Sequence, residues 1–110
     1  MIQKEEEKWK PIPDYETYEI SDMGRVRNRR GQILKPQKNN RSGHLQVMLW
    51  KDAKAKCFYL RRLVAQVFIP NPENLEYVGS IDNKKDNCKA NNLYWSAEKY
   101  EKKSYKRTDI

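Results

Sequence analysis

The chain has one histidine, His44, and two cysteines, Cys57 and Cys88, in 110 residues. With no CxxC pair and no histidine beside either thiol, the spacing matches neither a structural zinc site nor a disulfide framework. Reduced, structurally incidental thiols are expected. No apolar run approaches the roughly 20 residues needed to span a bilayer. The acidic start, MIQKEEEKWK, also lacks the basic-then-apolar order of a secretory leader. No membrane partner is expected, and the expected compartment is the cytoplasm. One region is nearly devoid of acid: residues 24–62 hold twelve Lys and Arg against Asp52 alone.

Apolar residues make up 37% of the chain and charged residues 35%, so the core must be modest, while twelve aromatics argue against wholesale disorder. At this length one domain, or two small modules sharing a core, is expected. The net charge of +8 is regional, because the first 23 residues carry three Lys against seven acids. Such a basic middle third suits a phosphate backbone, where each neutralised phosphate releases counterions and adds sequence-independent affinity.

Periodicity gives a coarse outline. The stretch EEEKWKPIPDYETYEIS reads as an extended segment leading into a short strand, and RVRN and QILK read as two strands joined at Arg30-Gly31. In RVRN, Val26 alternates with Arg25 and Arg27, which gives one apolar and one basic face. The best strand signals are GHLQVMLW and KCFYLRR, a hairpin around the charged turn KDAKA. Leu63, Val64, Val67 and Phe68 then fall at helical spacing until Pro70, which predicts a helix of about two turns. After the loop IPNPEN come two short strands, EYVGSI and NNLYWS, and a last helix with Ser96 as its N-cap.

Two stretches carry a family likeness. WKPIPDYETYEISDMGRVRN (9–28) resembles the nuclease-associated modular DNA-binding (NUMOD-type) domain that precedes many HNH homing endonucleases. RRLVAQVFIPNPENLEYVGSIDNKKDNCKANNLYW (61–95) resembles the HNH nuclease module of the same families. The resemblance implies an α+β fold: a small antiparallel β module over residues 1–45, then a short helix and a ββα-metal module over 46–110, together one compact unit. In that module a histidine deprotonates water while a divalent ion, usually Mg²⁺, stabilises the phosphate. Val78, Ile81, Asp82, Lys85, Asn87, Asn92, Leu93 and Trp95 fit the family pattern. The working positions depart from it. Gly79 stands for a metal-binding Asn or Asp, Ser80 for the general base, and Glu101 for an Asn ligand in the last helix. Arg61 takes a place where members often have histidine.

The expected function is that of a catalytically inactive or severely impaired HNH homologue, acting by occupancy as a phage or mobile-element regulator or accessory factor. No cofactor is expected. Double-stranded DNA is the expected partner, through Arg25, Arg27, Arg29, Arg30, Lys35, Lys38, Arg41, His44 and Gln46. Loss of a general base alone typically costs about 10²–10⁴ in rate. A second reading keeps Mg²⁺-dependent nicking through an atypical centre built on Asp82, Glu101 and Asp86. A third has the scaffold bind a host protein. Asp82 and Asn92 also have a purely structural reading, as the cap of a turn and the tie between loop and strand.

Overall fold

Turn chemistry decides where this chain reverses. Asp14 (φ 69°) closes the first hairpin, and Asp52 and Ala53 (φ 54° and 65°) close another as a two-residue turn with both central residues left-handed. Asp and Asn tolerate this region, whereas Ala53 adopts it at a cost of about 1–2 kcal/mol. The computed structural model describes residues 6–98.

Strands β1 (Trp9–Ile12), β2 (Tyr15–Ser21) and β3 (Val26–Arg27) form one antiparallel sheet in that order. Strands β4 (Gln37–Lys38), β5 (Leu45–Lys51) and β6 (Lys54–Tyr59) form a second. Helix α1 (Leu60–Phe68) follows β6 without a loop. Strands β7 (Tyr77–Ser80) and β8 (Leu93–Ser96) pair antiparallel, with a 3₁₀ turn at Ala90–Asn92 just before β8. This is the α+β class that the resemblance implied.

One helix face gathers the sheets. Leu60, Leu63, Val64 and Ala65 of α1 are buried, and α1 touches β1, β2, β5, β6, β7 and β8. Ile12, Ile20, Val26, Val47, Leu49, Cys88 and Leu93 complete a contiguous core. Each such Leu, Ile or Val contributes roughly 1.5–3 kcal/mol by leaving water. Strand β5 shows why register matters: Val47 and Leu49 are buried, while Met48 and Trp50 between and beyond them are exposed.

The structure corrects several sequence expectations. The first segment holds two paired strands rather than an extended lead-in, with an irregularity between Pro11 and Ile12. QILK is not a strand: Ile33 makes one isolated bridge to Arg27 and is 47% exposed, and the segment is anchored by Leu34, which packs against the core and donates its N–H to the Val26 carbonyl. The turn before it is closed by Asn28, whose Oδ1 accepts from the N–H groups of Arg30 and Gln32. The short strand β4, unforeseen in sequence, instead adds to β5. The second strand of the central hairpin ends at Tyr59, because Leu60 and Arg61 are both buried and break a period of two. Ser96 Oγ accepts from the Glu98 N–H at 3.0 Å, as an N-cap would, while the last helix expected beyond it lies outside the described residues.

Gly24 (φ +84°) supplies a close approach, since a Cβ there would lie 2.9 Å from the Cys88 carbonyl oxygen. Gly31 has nearly the same φ, +85°, but nothing within 4 Å of the corresponding position. Gly31→Ala is therefore expected to lose only the left-handed penalty of about 1–2 kcal/mol, and Gly24→Ala about 1–3 kcal/mol more from the clash. Urea denaturation of the two variants checks this; equal losses would contradict it.

Candidate functional site

The hairpin β7–β8 sets the frame of the first candidate site. Gly79 lies opposite Tyr94 and Ser80 opposite Leu93, and both Gly79 and Ser80 are buried. Beyond Ser80 the Ile81 N–H donates to the Asn92 carbonyl at 2.8 Å, closing the mouth of a loop over residues 81–92. Asn83 takes the left-handed turn at φ 60°.

Asp82 organises that loop. Its Oδ1 accepts from the Lys84 N–H (2.9 Å) and from Asn92 Nδ2 (3.0 Å), and its Oδ2 accepts from Asn87 Nδ2 (2.8 Å). The buried Asn92 also donates to the Asn87 carbonyl and accepts from the Asp82 N–H. A carboxylate offers about four lone-pair sites, so one remains uncommitted. The side-chain bond from Asn87, then the backbone N–H of Lys84 and the side chain of Asn92, hold the Asp82 carboxyl below its ordinary pKa of 3.8.

Arg61 is the unusual charge near this frame. It is only 7% exposed; Nη1 donates to the Val78 carbonyl at 3.2 Å, while Nε and Nη2 have no hydrogen-bond partner among the described residues. Burial pushes the neighbouring Cys88 thiol up to about 11, with Arg61 opposing the shift. Among the described residues no three His, Cys, Asp or Glu side chains come together as a cation site. Of the positions matched to the family site, Gly79, Ser80 and Asn92 are brought together, and Glu101 lies outside the described residues.

The basic candidates divide by environment. Arg25 is paired with Glu7 and Arg27 with Glu19, and both guanidiniums lie over the Trp9 ring, 5.6 and 4.0 Å from its centroid. They are side by side, as the alternation implied, but each is opposed by an acid. Arg29 lines an open groove whose other walls include Asp14, Glu16, Glu19 and Asp52. Arg30, Lys35, Lys38 and Arg41 are exposed with no ion pair among the described residues. His44 precedes β5 rather than lying in it, and its ring meets Tyr59 edge-on at 5.6 Å. Gln46 lies across from Gln37 and Tyr59, and its Oε1 accepts from Asn39 Nδ2.

Two features escaped sequence reasoning. On the outer face of the β4–β5–β6 sheet, Met48, Trp50 and Tyr59 are 49%, 58% and 40% exposed. The spacing of Gln46, Met48 and Trp50 at every second residue was the available signal. Lys85 Nζ donates to the Ser42 carbonyl at 2.7 Å, which ties the 81–92 loop to the loop carrying Arg41. No local pattern announces a contact across 43 positions.

Comparison with known proteins agrees with this geometry. The NUMOD4 motif model matches residues 7–50. Two uncharacterized HNH endonucleases of Acanthamoeba polyphaga mimivirus are 38% identical over 94 residues and 37% identical over 99. These alignments cover 84% and 86% of this chain but 28% and 25% of the relatives. DNA endonuclease I-HmuI of Bacillus phage SP01 is 37% identical over 93 residues, 83% of this chain and 53% of the relative. A solved structure described as DNA binding and cleavage by the HNH homing endonuclease I-HmuI superposes with a TM-score of 0.73. That superposition, at 37% identity, covers 81% of this chain and 52% of the other. The chain thus spans about a quarter to about half the length of the curated relatives it matches.

A lowered carboxylate pKa means that the folded loop favours the charged form. The stabilisation from Asp82 is therefore present above its unfolded value near 3.8 and is lost as pH falls through the lower folded value. Below about pH 4, amide exchange at Lys84, with correction for the intrinsic rate, is expected to accelerate before exchange in β5. Asp82→Asn should show that loosening already at pH 7. Unchanged Lys84 protection in the variant would contradict the assignment.

Proposed function

Because the chain is a homologue of HNH endonucleases that carries a NUMOD4 motif, we propose that it binds double-stranded DNA and acts by occupancy, with phosphodiester cleavage lost or severely impaired. The observation that carries this reading is the β7–β8 hairpin. Where the chemistry needs a proton acceptor and ion-holding side chains, the strand presents Gly79 and buried Ser80, and the carboxylate of Asp82, two residues beyond Ser80, accepts three hydrogen bonds within its own loop. The buried Arg61 adds a positive charge at the Val78 carbonyl, one residue before Gly79. At 4–8 Å and an effective dielectric of ~20, unit like charges repel by about 2–4 kcal/mol, which works against a second cation there. A mobile-element or phage regulator working in the cytoplasm of a bacterial host is the setting that the phage origin of I-HmuI supports, while the other two relatives are mimivirus proteins.

DNA as partner is supported by the basic stretch and by I-HmuI, a relative described as binding and cleaving DNA. The proposed contact is the face near β4 and the 39–44 loop, where Lys38, Arg41 and His44 accompany Gln46. Among the described residues Lys38 and Arg41 form no ion pair, unlike Arg25 and Arg27. An antiparallel ribbon can lie in a major groove, with amides such as Gln46 meeting adenine edges and cations meeting phosphates. The division at residues 45 and 46 belongs to this proposal: the first module, with Gln46 just past its end on β5, contacts DNA, and the rest of the second keeps the nuclease-derived frame.

Supercoiled plasmid incubated with Mg²⁺ or Mn²⁺ is expected to remain unnicked, or to nick at least about 100-fold more slowly than with I-HmuI. In EDTA the chain should still shift duplex DNA, with affinity falling steeply as salt rises. Lys38→Ala/Arg41→Ala should reduce the magnitude of the log–log salt slope by about 1–2. Efficient metal-dependent nicking by the unaltered chain would refute the loss of chemistry, and no shift at low salt would refute DNA as partner.

A further inference from the structure

A second groove lies away from the Gly79–Ser80 strand, between β1, the end of α1 and β8. It is open, with a volume of about 550 Å³, and its lining includes Lys10, Arg62, Gln66, Phe68, Asn74 and Trp95. Among the described residues no acid lines it, whereas four line the groove beside Arg29. Lys10 Nζ lies 5.3 Å from the Phe68 ring centroid and Arg62 Cζ lies 5.6 Å from that of Trp95. The Trp95 ring is itself fixed, because its Nε1 donates to the Ile69 carbonyl at 3.0 Å. Arg62 is held further by a bond from Nη1 to the Glu76 carbonyl, which leaves most of its five donors uncommitted among the described contacts.

These features define a ligand class. Two cations resting on aromatic faces keep their charges at set positions and lose little rotamer freedom when an anion arrives. Among the described residues neither Lys10 nor Arg62 has a carboxylate partner; the ion pairs there are Arg25–Glu7 and Arg27–Glu19. The C-terminal end of α1 opens on the same groove, but its dipole supplies only about half a negative charge against two positive ones. We infer that this groove is a further nucleic-acid contact, in which Lys10 and Arg62 hold one or two backbone phosphates beside the amides of Gln66 and Asn74. The inference rests on DNA being the partner and adds a contact outside the basic stretch of residues 24–62 for Lys10, and outside the β4 face for Arg62.

The test is fluorescence anisotropy of a labelled 20-base-pair duplex in EDTA across a salt series. Three forms of the full chain are compared: unaltered, Lys10→Gln/Arg62→Gln, and Lys51→Gln/Lys54→Gln, which removes the same charge at the β5–β6 turn. The groove variant is expected to weaken binding about tenfold and to lower the magnitude of the salt slope by about 1.8, while the turn variant changes affinity less than about twofold. Thermal unfolding establishes that each variant folds; Lys10→Gln alone, at an exposed position, should lower the slope magnitude by about 0.9 if the double variant does not fold. Equal behaviour of groove and turn variants, or an unchanged slope for Lys10→Gln, overturns the inference while leaving DNA binding intact. An unaltered chain that binds no duplex overturns both readings.

Discussion

A carboxylate oxygen can face a cation or accept from an amide, and in the 81–92 loop Asp82 does the second three times over. That commitment closes the loop and seats the buried Asn92 just before β8. It also holds the mouth of the hairpin through the bond from the Ile81 N–H to the Asn92 carbonyl. Buried amides that are fully engaged specify one arrangement, because each lost bond leaves a desolvated group behind. A frame held this way does not need an ion to keep its shape. Geometry and chemistry are then separable: on the proposed reading, the loop is retained for folding without the residues that would activate water.

The frame is positioned by α1, whose buried face meets strands from all three sheets. Since α1 begins as β6 ends, the sheet presenting Gln46 and the hairpin presenting Ser80 are rigidly related through a single short helix. Lys85 adds a direct link at the surface through its bond to the Ser42 carbonyl. Charge distribution follows the same scaffold. Acids from β2 and the segment before β1 neutralise Arg25 and Arg27 on Trp9, whereas among the described residues Lys38, Arg41, Lys10 and Arg62 form no ion pair. The cations available to phosphate are therefore not simply those that are densest in the sequence.

Much of this was legible beforehand where a pattern had a local cause. Alternation around Val47 and Leu49 located the central hairpin, and Asx chemistry at Asp82 located the loop. Failures came from contacts made at a distance. Arg25 and Arg27 read as a free basic face because Glu7 lies 18 residues from Arg25, too far for any short window. QILK had strand composition, yet Arg27–Ile33 is its one bridge among the described residues, with Leu34 turned to the core and Ile33 exposed. The helix began earlier than its periodicity suggested, because Leu60 and Arg61 are buried by neighbours that the local sequence does not name. The likeness of residues 61–95 to HNH modules identified the frame, yet only coordinates reveal that the Asp82 carboxylate is already engaged.

The central claim is that the hairpin keeps its shape without holding a divalent ion, and Mn²⁺ titration followed by amide NMR tests it across the whole chain. Paramagnetic broadening at Gly79, Ser80, Asp82 and Asn92 should be no stronger than at exposed acids such as Glu16, and should not saturate at micromolar metal. Early, saturable broadening centred on those four amides would mean that the frame still binds its ion, and the account would be wrong.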